Sequence, residues 1–276
     1  MKKTVFFAAL ELLRPANCAM AAFDTILGYW LSVGKVALPF EIFLLAFSSF
    51  CICGAGQAIN DYYDAGVDSK GKKGKPIPSG LIASAEAKNL ATALFILGIA
   101  VAFLVNMHAF GIAVAFSVLL CVYSHRLSRH KYFGNAIVAL STAFTFIMGA
   151  TLTGNYGLAG ILAAAAFFAS WAREIAKDLE DFDSDRGKKT TLPMVWGKKG
   201  AAEAAKAATL AAIFFGLVPL MLPTGIGAAY YAILGLCIGL FLVALLQMKR
   251  ARYRDASATY KYAMAFAMAA FASTLF

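Results

Sequence analysis

Charge is what this sequence has least of. Asp, Glu, Lys and Arg together make up 14% of the 276 residues, against 61% hydrophobic residues and a mean hydropathy of +0.72. A soluble domain of this length needs far more charge to cover its surface, so the composition excludes an ordinary water-soluble globule and implies a membrane protein. Cysteine offers neither staples nor a metal centre. Cys18, Cys51, Cys53, Cys121 and Cys237 are odd in number, lie in apolar stretches and form no CxxC pair, which argues against a disulfide framework or a zinc site. The three histidines, His108, His125 and His130, lack metal-ligand spacing and are expected in loops or at helix ends. A cleavable secretion signal is not expected either, because Glu11 and Arg14 interrupt what would be its apolar core.

Long apolar runs, by contrast, fill the chain. Stretches of the roughly 17–25 residues that cross a bilayer can be drawn at 15–34, 38–59, 85–106, 108–125, 132–153, 157–176, 203–222, 227–248 and 257–276. Gly, Asn and Pro signals separate them at Asn106–His108, Asn155–Gly157 and Pro223–Gly225. The formal net charge of +10 has a one-sided distribution: 24 of the 25 Lys and Arg residues fall in one alternate set of connections, with Lys35 on the other side. The positive-inside rule then places the N-terminus and these loops in the cytoplasm and the C-terminus outside. The expectation is an all-α, multi-pass bundle of nine transmembrane helices, a single domain over residues 1–276. Most of the basic residues need do no more than set topology and attract anionic lipid.

Two loops carry more. The second expected helix runs into Asn60-Asp61-Tyr62-Tyr63-Asp64-Ala65-Gly66-Val67-Asp68, and the sixth into a segment from Arg173 to Asp185. Nine of the 15 acidic residues lie in these two segments. Carboxylates gathered at helix ends repel one another unless a cation offsets them. Asn60, Asp64 and Asp68 step by four and share a helix face, as do Glu174, Asp178, Asp181 and Asp185. Hard divalent cations such as Mg²⁺ take such oxygen ligands and share them with substrate phosphates. The two segments also echo each other: Asp64 and Asp181, Asp68 and Asp185, and Pro76 and Pro193 are each 117 residues apart, with a Lys pair (Lys72-Lys73 and Lys188-Lys189) between acid and proline. Four helices separate the copies, so both emerge on one membrane face, and a duplicated unit facing its twin reads as one bipartite site for metal and diphosphate. The lysines supply positive charge to the outer phosphate oxygens; Lys75, in the proline-stiffened Lys75-Pro76-Ile77-Pro78-Ser79-Gly80, leads them, with Lys188 and Lys189 as its counterparts.

These residues resemble the UbiA superfamily of intramembrane prenyltransferases. The resemblance spans nearly the whole chain: nine helices, an NDxxDxxxD motif from Asn60 to Asp68, a DxxxD motif from Asp181 to Asp185, Arg14-x2-Asn17 entering the first helix, the Lys75 loop, and Tyr123-Ser124 ending the fourth. It implies a bundle whose central cavity opens to the cytoplasmic side, with Asn60, Asp64, Asp68, Asp181 and Asp185, joined by Asp178, as Mg²⁺ ligands. Where this chain has Lys75 the family often has Arg, so the contact implied there is that of a point charge and not a bidentate fork. The string Arg173-Glu174-Ile175-Ala176-Lys177-Asp178-Leu179-Glu180-Asp181, followed by Thr191-Leu192-Pro193, is similar to the archaeal branch that adds a second geranylgeranyl chain to geranylgeranylglyceryl phosphate for ether lipid. Members acting on aromatic acceptors in quinone, chlorophyll or haem pathways share both Asp motifs and are the alternative.

The chemistry implied is Mg²⁺-assisted ionisation of an allylic diphosphate, then attack of the acceptor hydroxyl on C1 of the isoprenoid in a water-poor pocket. Asp61, Tyr123 or the product diphosphate takes the proton. Asp61, off the Asn60 stripe, has the alternative of binding backbone or a loop lysine; Tyr123 has those of facing the cation with its ring or anchoring a helix at the interface. Arg14 and Asn17 are spaced to reach the second substrate's phosphate, unless Arg14 merely extends to lipid head groups; Ser124 is a further substrate contact or a helix-end hydrogen bonder. Asp24, on the same face as Asn17 and well inside the first helix, belongs to an acceptor pocket or is protonated. A transporter would place its ionisable groups nearer the midplane, and the DGxxAR opening of the CDP-alcohol phosphotransferases is missing, since no Asp-Gly pair occurs.

Overall fold

The fold is given by a computed structural model, which describes residues 5–68, 75–127, 131–187, 190–222 and 226–276. Its helices are α1 (Val5–Leu13), α2 (Pro15–Val33), α3 (Phe40–Asp68), α4 (Ser84–Val105), α5 (Met107–Val122), α6 (Lys131–Ala150), α7 (Gly157–Glu180), α8 (Leu192–Leu217), α9 (Ala228–Lys249) and α10 (Tyr253–Ser273). A π-helical turn (Tyr123–Leu127) extends α5, and a 3₁₀ turn (Val218–Met221) extends α8. The apolar stretches read from the sequence all fall on helices. Among the described residues six helices are long and apolar enough to cross a bilayer, and a seventh arises if α1 and α2, bent by 48° at their junction, count as one span.

Local chemistry sets the breaks. Asn106 leaves α4 in an extended conformation, and its side chain accepts from the Ala109 amide (2.8 Å), so one residue ends α4 and caps α5. Gly197, at φ 73°, breaks α8 five residues after Leu192. Two helix ends matter most. The apolar run of α3 stops near residue 59, and the helix continues to Asp68, as the shared face of Asn60, Asp64 and Asp68 implied, so the NDxxDxxxD motif forms its last turns. Likewise α7 carries Arg173 through Glu180 as helix, and Asp181 caps it.

The chain divides into two compact units, 1–26 with 38–128 and 27–37 with 129–276. In the first, α3 packs on α4 and α5. The contact is close because Gly98 presents no side chain: a Cβ there would meet Ile52 Cγ1 at 2.7 Å, and Ser48 donates to the Gly98 carbonyl (2.7 Å). In the second, α7 packs against α6, α8 and α10, and α9 against α10. Alanines dominate the core, with Thr209–Tyr260 and Tyr230–Gly216 hydrogen bonds (2.7 Å each) between helices. Small residues bring backbones together where lipid supplies no hydrophobic drive, and polar contacts add to that. The 117-residue echo extends to architecture, for α3 opens at Phe40 and α7 at Gly157.

Gly28, near the end of α2, lies against the Phe146 backbone of α6, where an added Cβ would run into the carbonyl. Gly28→Ala is therefore expected to lower stability by about 1–3 kcal/mol through overpacking. Gly235→Ala, where nothing lies within 4 Å, should be neutral or stabilising by up to ~1 kcal/mol; thermal melts of the two variants in one detergent compare them directly.

Candidate functional site

In the first unit the last turns of α3 carry the chemistry. Asp61 is 5% exposed, and one of its oxygens, Oδ1, accepts from both Arg14 Nη2 (2.9 Å) and Lys75 Nζ (3.0 Å). Arg14 also donates through Nη1 to Gln57 Oε1 (2.6 Å), one helical turn back. Asp61 thus pairs with a loop lysine, as one of its expected alternatives had it. It also holds Arg14, from the α1–α2 junction, beside Lys75. A residue before proline is disfavoured in the α conformation, and Arg14 sits at φ 51°, a conformation costing a non-glycine residue about 1–3 kcal/mol. The two bonds from its guanidinium offset that strain and fix the bend.

The Lys75 loop is stiff for visible reasons. The Pro76 carbonyl accepts from the amides of Leu81 (3.1 Å) and Ile82 (3.3 Å) and from the Ser79 hydroxyl (3.1 Å), while Ser79 N bonds back to Lys75 O (3.0 Å). Asn60 lies beside this cluster in sequence, and its Oδ1 is buried with no hydrogen-bond partner among the described residues. Asp64, four residues on, is buried as well. A buried carbonyl oxygen lacking a donor is destabilising unless something else satisfies it, and a hard cation is such a partner. Tyr123 and Ser124 lie in the π-helical turn that packs on α3. Ser124 is buried, Tyr123 is half-buried, and Tyr63 of α3 stacks edge-on with His125 of the turn at 5.1 Å. Asn17 is exposed on α2, and Asp24 is buried further along it. The Asp68 side chain lies outside the described residues, as do Lys188 and Lys189 of the second unit.

The second unit holds the other acidic segment. Asp178 is 1% exposed and accepts from Asn135 Nδ2 of α6 (2.7 Å). Asp181 is exposed at the end of α7, and the Asp185 amide bonds back to its carbonyl (2.9 Å), so the two carboxylates remain one turn apart beyond the helix. Between them Phe182 lies under the cations of Lys198 (4.3 Å) and Arg186 (5.6 Å). About two turns before Asp181, Glu174 Oε1 accepts from Arg173 Nη1 (3.0 Å) and Lys177 Nζ (2.6 Å).

Three contributors escaped the sequence reading as site residues: Gln57, Asn135 and Lys177; Glu174, expected on the carboxylate stripe, is instead paired with Arg173 and Lys177. The signal for Gln57 was present, because it stands 117 residues before Glu174, as Asp61 does before Asp178. Among the described residues no three His, Cys, Asp or Glu side chains converge as a cation cage. The oxygen donors of Asn60 and Asp64 do suit Mg²⁺, which binds through few protein ligands and completes its shell with water and phosphate.

Comparison with known proteins agrees with these features. Residues 21–271 match the UbiA prenyltransferase family. The digeranylgeranylglyceryl phosphate synthase of Thermococcus sibiricus is 36% identical over 227 residues, covering 82% of this chain and 80% of that protein. A solved structure described as "Structural and mechanistic insights into the biosynthesis of Digeranylgeranylglyceryl phosphate synthase in membranes" is similar at a TM-score of 0.86 and 30% identity, covering 98% and 99% of the two chains. The fold also matches that of a UbiA homologue from Archaeoglobus fulgidus bound to GPP and Mg²⁺, at a TM-score of 0.69 and 21% identity over 96% and 99%.

Asn135 supplies a donor to a carboxylate that water does not reach. Asn135→Leu, similar in size and unable to donate, is expected to destabilise the protein by about 1–3 kcal/mol, measured by thermal melting against Asn135→Gln.

Proposed function

The chain belongs to the UbiA prenyltransferase family, and on that premise we propose that it transfers a geranylgeranyl group from its allylic diphosphate to geranylgeranylglyceryl phosphate, releasing diphosphate, in archaeal ether-lipid synthesis. The observation that carries the site is the end of α3, where Asn60 presents a buried oxygen with no hydrogen-bond partner among the described residues, one turn before Asp64, and Asp61 holds Arg14 and Lys75 on one oxygen. The relatives' names supply the acceptor, and the Archaeoglobus homologue's GPP and Mg²⁺ support the donor class and the metal.

Asn60, Asp64, Asp68, Asp178, Asp181 and Asp185 are the residues proposed to hold Mg²⁺, Asp178 with its orientation set by Asn135. When bound, Mg²⁺ supplies Lewis-acid stabilisation of the charge that grows on the leaving diphosphate. Arg14 and Lys75 bind the outer phosphate oxygens together, because Asp61 fixes both and cancels one of their two charges. That leaves net positive charge to meet an anion. Lys188 and Lys189 do the same from the second repeat, and Asn17 and Ser124 contact substrate. The Tyr123 ring faces the allylic cation, and the proton leaves toward Asp61, Tyr123 or the product diphosphate. Packed helices exclude water, which would otherwise capture the cation.

In this reading the two units form one catalytic domain of nine membrane crossings, counting α6 and α10 with the six long helices and the α1–α2 pair. The cavity opens to the cytoplasm, where the N-terminus and both acidic helix ends lie, and the C-terminus is outside, as the asymmetry of basic residues requires.

Membranes incubated with labelled geranylgeranyl diphosphate, Mg²⁺ and geranylgeranylglyceryl phosphate should yield labelled digeranylgeranylglyceryl phosphate. EDTA, Asp64→Ala or Asp181→Ala should each lower turnover at least ~100-fold in folded protein. Turnover with an aromatic acid or quinol precursor in place of the lipid phosphate would reject this acceptor. Prenyl transfer that survives EDTA would reject the metal assignment.

Arg14→Gln and Lys75→Ala should each raise the KM for the prenyl diphosphate by about tenfold or more, and Asp61→Asn should approach the same result by releasing both cations. Unchanged donor KM in Lys75→Ala would remove it from the site.

A further inference from the structure

Arg173, Glu174 and Lys177 make a second cluster of the same construction, and the donor chemistry does not use it. As at Asp61, a single carboxylate oxygen accepts from one arginine and one lysine, so the trio carries a net positive charge. Arg173 and Lys177 lie i, i+4 on α7 and share a face. The adjacent Asp178 accepts from Asn135 on α6. The Arg173 side chain is 27% exposed, yet its Nε is buried with no hydrogen-bond partner among the described residues. The Glu174 side chain is 15% exposed and both cations are largely covered, and a part-buried charged cluster near the end of a spanning helix is costly unless it serves a polar ligand.

The internal repeat says what kind of ligand. In the 117-residue register Glu174 stands where the first repeat has Gln57, and Lys177 stands where it has Asn60. The oxygen donor with the open, buried Oδ1 in the first repeat is replaced by an ammonium in the second. A position suited to a cation has thus become one suited to an anion.

We infer that Arg173 and Lys177, held by Glu174, bind the phosphate monoester of the acceptor. The inference rests on the phosphate-bearing acceptor proposed above. Depth along α7 fits it. Lys177 and Arg173 precede Asp181 by four and eight residues, about 6 and 12 Å along the helix axis at 1.5 Å per residue. With the donor's diphosphate at the acidic end, its C1 lies on the membrane side of that end. Glycerol has three oxygens: one carries the ether chain, one the phosphate, and the third is the nucleophile. The acceptor phosphate therefore stays within one glycerol of C1, a turn or two below the carboxylates. The fork of Arg173 suits the planar pairing of two phosphate oxygens, and Lys177 adds a point charge.

Direct binding to the purified full-length protein, without donor, tests the site. Titrations with geranylgeranylglyceryl phosphate and with phosphate-free geranylgeranylglycerol give two Kd values, whose ratio measures recognition of the phosphate. Arg173→Gln and Lys177→Gln should each weaken binding of the phosphate lipid by about 10- to 100-fold and leave the alcohol's Kd in place, so the ratio collapses. Arg173→Lys, which keeps the charge and the pairing with Glu174, should retain most of the discrimination and serves as the folding control. Variants that still discriminate as the wild type does would overturn the site. So would variants that weaken geranylgeranyl diphosphate instead, since the cluster would then belong to the donor. A wild-type protein that binds both lipids alike would reject the phosphate acceptor itself, a failure separate from that of the site.

Discussion

A carboxylate at the C-terminal end of an α-helix opposes the field of its own backbone, and this chain arranges that at two helices. The macrodipole places about half a negative charge at the end of a helix, and each acid there is unfavourable by roughly 0.3–1 kcal/mol before mutual repulsion is counted. α3 ends in Asp61, Asp64 and Asp68 with no basic residue in its last turn; α7 ends in Asp178, Glu180 and Asp181 with Lys177 as its basic residue. At a membrane boundary water relieves less of this than it does on a soluble protein. The rest of the local structure follows as compensation. The α1–α2 junction bends and holds Arg14 at a strained φ, a proline-braced loop brings Lys75 back, and both meet on Asp61. What remains at Asn60 and Asp64 is oxygen, which a divalent cation satisfies without further protein charge.

The duplicated design is most informative where its halves differ. The Asp positions are kept between repeats, so each acidic helix end retains carboxylates at corresponding places. One turn earlier the amides Gln57 and Asn60 become the charged Glu174 and Lys177. In the first half the acid that organises cations is Asp61, and its partners come from distant segments. In the second it is Glu174, and its partners lie on the same helix at i−1 and i+3. The first arrangement ties three separate stretches of chain together, and the second costs no loop closure at all. Equal net charge is thus reached by a long-range clamp in one half and a local one in the other.

Much of this was legible in the sequence because membrane proteins obey few, strong rules. Apolar runs of spanning length must be helices, since backbone polar groups find no water in the bilayer. The four-residue steps of Asn60, Asp64 and Asp68 hold up because α3 continues through them. Hydropathy alone marks where the greasy residues stop, near residue 59; the spacing of the polar residues is what carried the helix further. Lys75 was visible from its prolines, and the pairing of Asp61 with a loop lysine was foreseen as one alternative. Arg14 as the third member was not, because reaching Asp61 depends on the 48° bend before Pro15 and on a positive φ that arginine rarely adopts. Asn135 was invisible for a different reason. It sits 43 residues from Asp178, in a helix whose sequence gives no hint of which neighbour it faces.

One carboxylate oxygen shared by an arginine and a lysine is a better substrate clamp than either cation alone. Two unpaired cations near each other would repel, disperse and shift in orientation, and in a low-dielectric setting their separation would set the local energy. The shared oxygen holds them a few ångströms apart while cancelling one charge, so the pair is ordered before any anion arrives and less conformational entropy is lost on binding. The same oxygen limits the net charge of the trio to about one positive unit. Lysine at position 75, where the family often has arginine, belongs to this logic. The fork geometry is supplied by Arg14 across Asp61, and a compact ammonium beside it adds charge where a second planar guanidinium would crowd the oxygen. In the function proposed, the pairing, rather than the identity of the loop cation by itself, is therefore what an anion would meet.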